Sequence, residues 1–282
     1  MKTARAKAEL RQALAEPRRE GRTIGLVPTM GYLHEGHLSL LRAARADCDL
    51  VVMSLFVNPT QFGAGEDLDR YPRDEQRDTA LAEEAGVDLI YAPNTDDVYP
   101  SGYATYVDVE GLTEVLCGDP ERRGPEHFRG VITVVAKLLN TVQPDIAYFG
   151  QKDAQQAVVI QRMVGDLDFP VRIEVLPIVR DPDGLAMSSR NAYLDTEQRQ
   201  RAAALSRALR AAQDSARGGS LTEALADARR ELSEAGIEPE YLEARDAEDL
   251  TPVAELNGRP VLVAVAAQFG GARLIDNVLI EP

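Results

Sequence analysis

Residues 23–37 read Thr-Ile-Gly-Leu-Val-Pro-Thr-Met-Gly-Tyr-Leu-His-Glu-Gly-His. The apolar run over 24–27 has the length of a buried strand, and the spacing of apolar residues after residue 37 predicts a helix over 38–47. A glycine-containing turn between a strand and a helix start presents backbone N–H groups that attract anions. The stretch therefore predicts a place to hold phosphate.

His34 and His37 are two of only three histidines in the chain. Imidazole N–H groups at such a turn add donors that can stabilise charge at a phosphorus centre. Zinc ligation is disfavoured because a metalloprotease helix spaces its histidines four apart, whereas these are three apart with a glycine between them. Ordinary surface histidines at a helix cap remain the alternative. Their concentration in four residues favours chemistry on a nucleotide.

Composition narrows the class of protein. The 282 residues are 44% hydrophobic and carry a net charge of −15, which argues against nucleic-acid binding. No segment approaches the ~20 apolar residues of a membrane helix, and the basic N-terminus lacks the apolar region of a secretory signal. Cys48 and Cys117 stand in unrelated contexts, which suggests a reducing compartment. We expect a cytoplasmic protein with neither a membrane nor a nucleic-acid partner.

Strand-like and helical patterns alternate over the first 180 residues. The strand-like runs cover 24–27, 49–57, 88–92, 146–149 and 171–178, and the helical patterns cover 38–47, 74–86, 127–142 and 154–165. This alternation predicts an α/β fold with a Rossmann-like, doubly wound parallel sheet. Ligands bind beyond the carboxyl ends of such strands, where the loops 28–37, 58–63 and 150–153 fall.

A different pattern follows residue 195. Helices are predicted over 196–217 and 221–235, separated by Gly218-Gly219-Ser220, and strands over 241–244, 260–268 and 273–280. The turn residues 181–184 mark a linker. We therefore predict a Rossmann-like domain over 1–182 and a smaller C-terminal α+β lid domain over 183–282.

Amide and basic side chains follow the predicted strands. Asn58 and Gln61 suit neutral recognition of a hydroxyl, amine or carboxylate on a small substrate, although a capped turn would look similar. His127 and Arg129, at a helix start, are candidates for binding an anionic substrate, and a structural cap is an equal alternative.

Two further segments suit phosphate binding. In Gly150-Gln151-Lys152-Asp153, Gly150 permits close backbone approach, Lys152 would place a cation beside phosphates, and Gln156 lies one turn further on. Lys152 is one of only four lysines, which favours a function over a solvated turn. Residues 187–191, Met-Ser-Ser-Arg-Asn, offer two hydroxyls and a guanidinium that can close over a triphosphate, although a serine-rich linker would look alike.

Taken together, these segments resemble the pantothenate synthetase family (pantoate–β-alanine ligases, AMP-forming) over nearly the whole chain. The His-x-Gly-His pair alone is shared with the wider nucleotidylyltransferase superfamily. The resemblance becomes specific when this pair occurs together with five further motifs. They are Phe-Val-Asn-Pro-x-Gln-Phe at 56–62, Tyr-Pro-Arg at 71–73, His-Phe-Arg-Gly at 127–130, Gly-x-Lys-Asp at 150–153 and Met-Ser-Ser-Arg-Asn at 187–191. The resemblance implies that ATP and (R)-pantoate form an enzyme-bound pantoyl adenylate and pyrophosphate. β-Alanine then gives (R)-pantothenate and AMP.

The resemblance also implies roles for residues. His37 would donate a proton, and His34, Lys152 and Arg190 would complete the catalytic set. Gln61 and Gln156 would hold pantoate, beside the candidates Asn58, His127 and Arg129. The implied ATP contacts are Met30, Gly31, Tyr32, Leu33, His34, Glu35, Gly36, His37, Gly150, Gln151, Lys152, Asp153, Val179, Met187, Ser188, Ser189 and Arg190. Mg²⁺ would accompany ATP, held largely by phosphate oxygens, and the chain would form a homodimer.

Two other functions stay open. One is an adenylate-forming or nucleotide-transferring enzyme of the same superfamily with a different acceptor. The other is a non-catalytic nucleotide-binding protein on this fold, since a fold alone does not establish an activity. The presence of His34, His37, Lys152 and Arg190 argues against the second.

Overall fold

The computed structural model describes residues 1–217, 220–256 and 258–281. Within them, six parallel strands form one sheet: β1 (Lys2–Ala4), β2 (Ile24–Thr29), β3 (Leu50–Leu55), β4 (Leu89–Tyr91), β5 (Ile146–Gly150) and β6 (Arg172–Leu176). The helices between these strands are α1 (Lys7–Arg19), α2 (Glu35–Asp47), α3 (Glu75–Glu84), α4 (Thr95–Val98), α5 (Pro125–Val142) and α6 (Ala154–Asp166). The predicted Rossmann-like architecture is confirmed.

The strand order of this sheet is β1-β4-β3-β2-β5-β6. From β2 the chain moves outward through β3 to β4, and β5 and β6 are added on the other side of β2. In the β2–β5 pair, Gly25 lies opposite Ile146. The direction of winding therefore changes between β2 and β5, and the loops that follow these two strands form the crevice where open α/β sheets bind ligands.

Helix α5 positions the turn that follows β3. It begins with Pro125, whose missing N–H costs nothing at a helix start, and 12 of its 18 residues are buried against the sheet, α1 and α6. Its first half packs directly on the 3₁₀ turn Pro59–Gln61. Because α5 is anchored in the core, that turn is held in a defined place.

The C-terminal part contains α7 (Thr196–Ala202), α8 (Ala204–Ala216) and α9 (Leu221–Glu234), followed by β7 (Tyr241–Asp246), β8 (Val261–Phe269) and β9 (Ala272–Ile280). The strands form an antiparallel sheet in the order β7-β8-β9. One face of this sheet packs with α8 and α9 in a second hydrophobic cluster, whereas Leu262, Ala264 and Ala266 on the other face belong to the main cluster of the parallel sheet. The smaller α+β unit is thus confirmed, and the boundary after residue 182 stays a prediction.

Some elements differ from the sequence-based expectation. The edge strand β1 and the helix α1 were not predicted, and the helix predicted over 196–217 is interrupted at Ala203, where neither glycine nor proline marks a break. The predicted turn at Gly218-Gly219 lies outside the described residues, while Ser220 caps α9 by accepting the N–H of Glu223. Within the described ranges, no helix combines the length and apolarity needed to cross a membrane.

Candidate active site

A cleft at the carboxyl ends of β2, β3 and β5 contains a cavity of about 230 Å³. All five predicted segments contribute to its lining, which includes Met30, His34, Gly36, His37, Asn58, Gln61, His127, Gly150, Lys152, Asp153, Gln156, Val179, Met187, Ser188, Ser189 and Arg190. An adjoining cavity of about 380 Å³ shares Lys152, Asp153, Gln156, Ser188 and Arg190 and extends to the C-terminal sheet. Residues far apart in the sequence therefore meet at one cleft.

His34 and His37 lie at the start of α2 with ring centroids 4.0 Å apart. The Nδ1 of His34 accepts the Gly36 N–H at 3.2 Å, and the Nδ1 of His37 accepts the His34 N–H at 3.3 Å. A neutral imidazole with Nδ1 as acceptor carries its proton on Nε2. Both neutral rings therefore carry an Nε2–H, and both residues line the cavity.

Burial keeps both imidazoles uncharged. Together with the positive charge of Lys152, burial lowers the pKa of His34 to about 4. Burial lowers the pKa of His37 well below its ordinary range, and His34 and Lys152 lower it further. At neutral pH the pair therefore acts through N–H dipoles, and the permanent positive charge of the cleft comes from other residues.

This low pKa predicts a pH-dependent stability. Between the unfolded value of about 6.5 and the folded value of about 4, the unfolded chain binds more protons at His34 than the folded chain. The free energy of unfolding should therefore fall as the pH falls through this window. His34→Asn keeps a helix cap but does not titrate. Urea unfolding at about pH 7.5, 6 and 5 should show a shallower pH dependence for the variant, and equal slopes would contradict the assignment.

The turn before α2 is held by a buried carboxylate that the sequence did not single out. Asp78 of α3 is 1% exposed and accepts the N–H groups of Tyr32 and Leu33, each at 2.7 Å. Gly31 has a φ of +87°, and a Cβ there would lie 2.9 Å from the Asp78 carboxylate. Asp78 is one of 46 acidic residues in the chain, so only the fold reveals its role.

Five implied ATP contacts lie outside the lining of both cavities: Gly31, Tyr32, Leu33, Glu35 and Gln151. Leu33 is buried in the core, and Glu35 pairs with Arg42 on α2. Tyr32 contacts Arg77 through its ring, and Gln151 bonds to Asn277. Their direct contact with ATP stays a prediction.

The turn after β3 presents Gln61 to the cavity. Asn58 is 1% exposed, and its Nδ2 donates to the Gln61 Oε1 and to the Gly130 carbonyl, each at 3.1 Å. Its Oδ1 accepts the hydroxyls of Thr60 and Tyr99, at 2.9 and 2.8 Å. Because the protein itself uses the Asn58 amide in this way, Asn58 positions Gln61, and its contact with a substrate stays a prediction.

His127 and Arg129 are not brought to the same place. His127 donates from Nδ1 to the Gln61 carbonyl at 2.7 Å, and its Nε2 accepts from Arg123 at 3.2 Å. Arg129 is exposed and stacks on Tyr106, because residues two apart point to different sides of a helix. A cation near His127 that does line both cavities is Arg123. Sequence reasoning missed it because it precedes the helix start.

Lys152 lies in a 3₁₀ turn, Gln151–Asp153, between β5 and α6. Its Nζ is 3.3 Å from the Asp153 carboxylate, and its side chain is 21% exposed. The positive charge of Lys152 reaches both histidines, since it lowers the pKa of each. Lys152 and both histidines line the same cavity, and the predicted contact of Lys152 with phosphates stays a prediction.

Arg190 also lines both cavities. Its guanidinium makes a bidentate ion pair with Asp67, at 2.9 and 3.0 Å, and lies over the Tyr71 ring. Ser188 caps the following 3₁₀ turn through the Arg190 N–H, and Ser189 donates to the Tyr32 carbonyl. The serine-rich segment is thus tied to the histidine loop. Asp67, which holds the guanidinium, carried no local signal in the sequence.

The carboxylates of the cleft do not form a protein metal site. Within residues 1–217, 220–256 and 258–281, no three His, Cys, Asp or Glu side chains are grouped so as to hold a metal ion. Asp67 is paired with Arg190, and Asp153 with Lys152. A divalent cation in this cleft would therefore fit only with most of its ligands supplied by a bound phosphate.

Comparison with known proteins gives the same assignment along the whole chain. The family model described as pantoate-beta-alanine ligase matches residues 2–279. A protein named pantothenate synthetase from Moorella thermoacetica is 56% identical over 278 residues, covering 97% of this chain and 96% of that protein. Its counterpart from Acetivibrio thermocellus is 53% identical, with 97% of each chain covered.

Solved structures agree in fold. The crystal structure of pantothenate synthetase from Thermus thermophilus superposes with a TM-score of 0.93 at 50% identity and covers both chains completely. Pantoate-beta-alanine ligase from Francisella tularensis, complexed with beta-gamma ATP and beta-alanine, has a TM-score of 0.83 at 32% identity. It covers 100% of this chain and 98% of that one.

Proposed function

This chain belongs to the pantoate–β-alanine ligase family, and we propose that it performs the ligation in two steps within the cleft described above. The protein is an enzyme that joins pantoate to β-alanine. In the first step a pantoate carboxylate oxygen attacks the α-phosphorus of ATP, and the bond to the bridging oxygen breaks with release of pyrophosphate. In the second, the β-alanine amine attacks the acyl carbon, loses a proton and displaces AMP.

One observation carries the proposal: Lys152, Arg190 and the two imidazoles line a single cavity together with Gln61. The first step needs no protein nucleophile, because pantoate itself attacks. It needs two anions held together and the developing charge on the leaving pyrophosphate stabilised. Ammonium, guanidinium and imidazole N–H donors supply that stabilisation, and a serine-rich segment that closes over the site would protect a labile adenylate from water.

The two glutamines of the cleft would hold pantoate. Gln61 and Gln156 line the cavity and carry amides, which bind hydroxyl and carboxylate oxygens without the repulsion that a carboxylate side chain would cause. The Gln61 Nε2 lies 3.2 Å from the Met30 Sδ, a weak acceptor that a substrate oxygen would readily replace. The Francisella tularensis complex supports β-alanine as the second substrate.

Three further features complete the proposal. Mg²⁺ would enter with ATP, held mainly by phosphate oxygens, and would offset their negative charge. The enzyme would work as a homodimer in the cytoplasm. Sedimentation or light scattering of the purified protein measures the oligomeric state, and a monomer at working concentration would contradict the proposed homodimer.

The proposed sequence of steps is tested by pyrophosphate release. Purified enzyme with ATP and Mg²⁺ should release pyrophosphate only when pantoate is added, and multiple turnovers to pantothenate and AMP should require β-alanine as well. Pyrophosphate that appears with β-alanine alone, or an unresponsive ATP-binding protein, would contradict the two-step scheme. The second result would favour a different acid substrate.

Gln61→Ala should impair the use of pantoate while ATP binding is retained. The side chain lines the same cavity as the cations, and its amide is the group proposed to bind pantoate. We expect kcat/KM for pantoate to fall about 10-fold or more, since buried polar groups of the substrate would lose their partner. Gln12→Ala, on the exposed face of α1, serves as the control. Weakened ATP binding with an unchanged pantoate KM would contradict the role of Gln61.

A further inference from the structure

Asp276 and Asn277, adjacent on β9 of the C-terminal sheet, contact two walls of the nucleotide cleft at once. Both are buried, at 2% and 3% exposure. Buried polar side chains are found where their hydrogen bonds are made within the protein. Apart from a hydrogen bond from the Asn277 N–H to the Asp276 carboxylate, their side chains bind segments predicted to contact ATP or the immediate neighbours of those segments.

The Asn277 side chain binds the backbone of the Lys152 turn. Its Nδ2 donates to the Gln151 carbonyl at 2.9 Å and to the Lys152 carbonyl at 3.0 Å. Its Oδ1 accepts the Gln151 Nε2 at 3.3 Å. Both N–H bonds of one amide are thus directed at consecutive carbonyls, and the position of the Lys152 backbone depends on a residue more than a hundred positions away.

Asp276 holds the opposite wall. Its carboxylate accepts hydrogen bonds from both terminal nitrogens of the Arg180 guanidinium, at 2.6 and 3.0 Å. Arg180 belongs to a short antiparallel turn in which it pairs with Ala186, and the Met187 N–H donates to the Val179 carbonyl at 3.0 Å. The carboxylate therefore fixes the hairpin that carries Val179 and Met187, both of which line the cavity.

We propose that Asn277 is a positioning residue for adenylate formation, acting through the backbone of Lys152. The inference rests on the proposed role of Lys152 at the phosphates. Asn277, on the C-terminal sheet, thereby determines where the Lys152 ammonium group lies in the Rossmann-like part of the chain. A small displacement of such a group is costly, since misplacement by about 1 Å can lower a rate about 100-fold.

The test separates the two half-reactions. Asn277→Ala should lower single-turnover formation of pantoyl adenylate about 10- to 100-fold. Attack of β-alanine on synthetic pantoyl adenylate, measured as AMP release, should stay within about twofold, because that step no longer needs the phosphate-facing ammonium. Asn277→Asp keeps the shape but replaces two donors by acceptors, and it provides a second variant if the first folds poorly.

Val263→Ala is the matched control, because Val263 is fully buried in the same sheet and contacts neither wall of the cleft. It should lower the free energy of unfolding and leave both half-reactions unchanged below the unfolding temperature. If Asn277→Ala behaves like this control, or slows both half-reactions equally, the inference is overturned.

A double-variant cycle identifies the path. If Asn277 acts through Lys152, Asn277→Ala should add little to the defect of Lys152→Ala, whereas additive losses overturn the inference. Wild-type protein that releases no pyrophosphate with pantoate overturns the proposed function itself, and a normal Lys152→Ala variant overturns the role of Lys152. Either result also overturns the inference about Asn277, and the two results show separately whether the proposed function or the role of Lys152 is wrong.

Discussion

Lys152→Ala is expected to lower the rate of pantoyl adenylate formation about 100-fold or more. Lys152 lines the same cavity as both imidazoles, and its positive charge lowers the pKa of each. In the proposed mechanism this ammonium group stabilises the negative charge that develops on the phosphates. Its side chain is 21% exposed, and this partial burial strengthens the interaction with an anion. Rapid-quench measurement of pyrophosphate release in a single turnover gives the rate directly.

The control for this variant is Lys7→Ala, at the start of α1, which removes an equal charge far from the cleft. Lys152→Arg tests geometry, because a guanidinium keeps the charge but presents it as a planar fork. We expect the arginine variant to recover only part of the rate. A near-normal rate for a correctly folded Lys152→Ala protein would remove this residue from the catalytic set.

Gly130→Ala is expected to damage both stability and the use of pantoate. A Cβ at Gly130 would lie 2.2 Å from the Thr60 carbonyl oxygen and 2.7 Å from the Gln61 amide nitrogen. Both are backbone atoms, so the helix and the turn must move apart. Overpacking of this kind costs about 1–3 kcal/mol, and displacement of Gln61 should raise the KM for pantoate. Urea unfolding and steady-state kinetics measure the two effects.

Gly165→Ala is the matched control, since Gly165 also lies within a helix, α6, and a Cβ there would meet no atom within 4 Å. That variant should gain up to about 1 kcal/mol from the better helix propensity of alanine and keep full activity. Equal behaviour of the two variants would show that the close approach of α5 to the turn is not rigid.

The architecture was predictable because its signals are local. Apolar runs such as 24–27 and 146–149 predict strands, and the spacing after His37 predicts a helix, since each pattern follows from the geometry of its own element. The elements that escaped prediction were short or weakly marked. The edge strand β1 has only three residues, and the interruption at Ala203 has no glycine or proline to announce it.

The site was predictable where a motif places its own functional groups. His34 caps the helix in which His37 lies, so their contact follows from their spacing, and Lys152 stands out because the chain has only four lysines. The sequence misplaced Arg129, because its neighbour His127 shares the motif but a helix turns the two side chains apart. The directions in which the His127 and Arg129 side chains point depend on the residue at which α5 begins.

The amino-acid sequence by itself determined the alternation of strands and helices that follows β1 and α1, the glycine-containing turn that carries the two histidines, and the family to which the chain belongs. Only the tertiary structure decided which supporting residues hold that site, namely Asp78, Asp67, Arg123, Gly130 and Asn277. The physical reason is distance along the chain. A carboxylate or amide that binds backbone 46 or 126 residues away leaves no periodic or local trace, since its partner is chosen by packing.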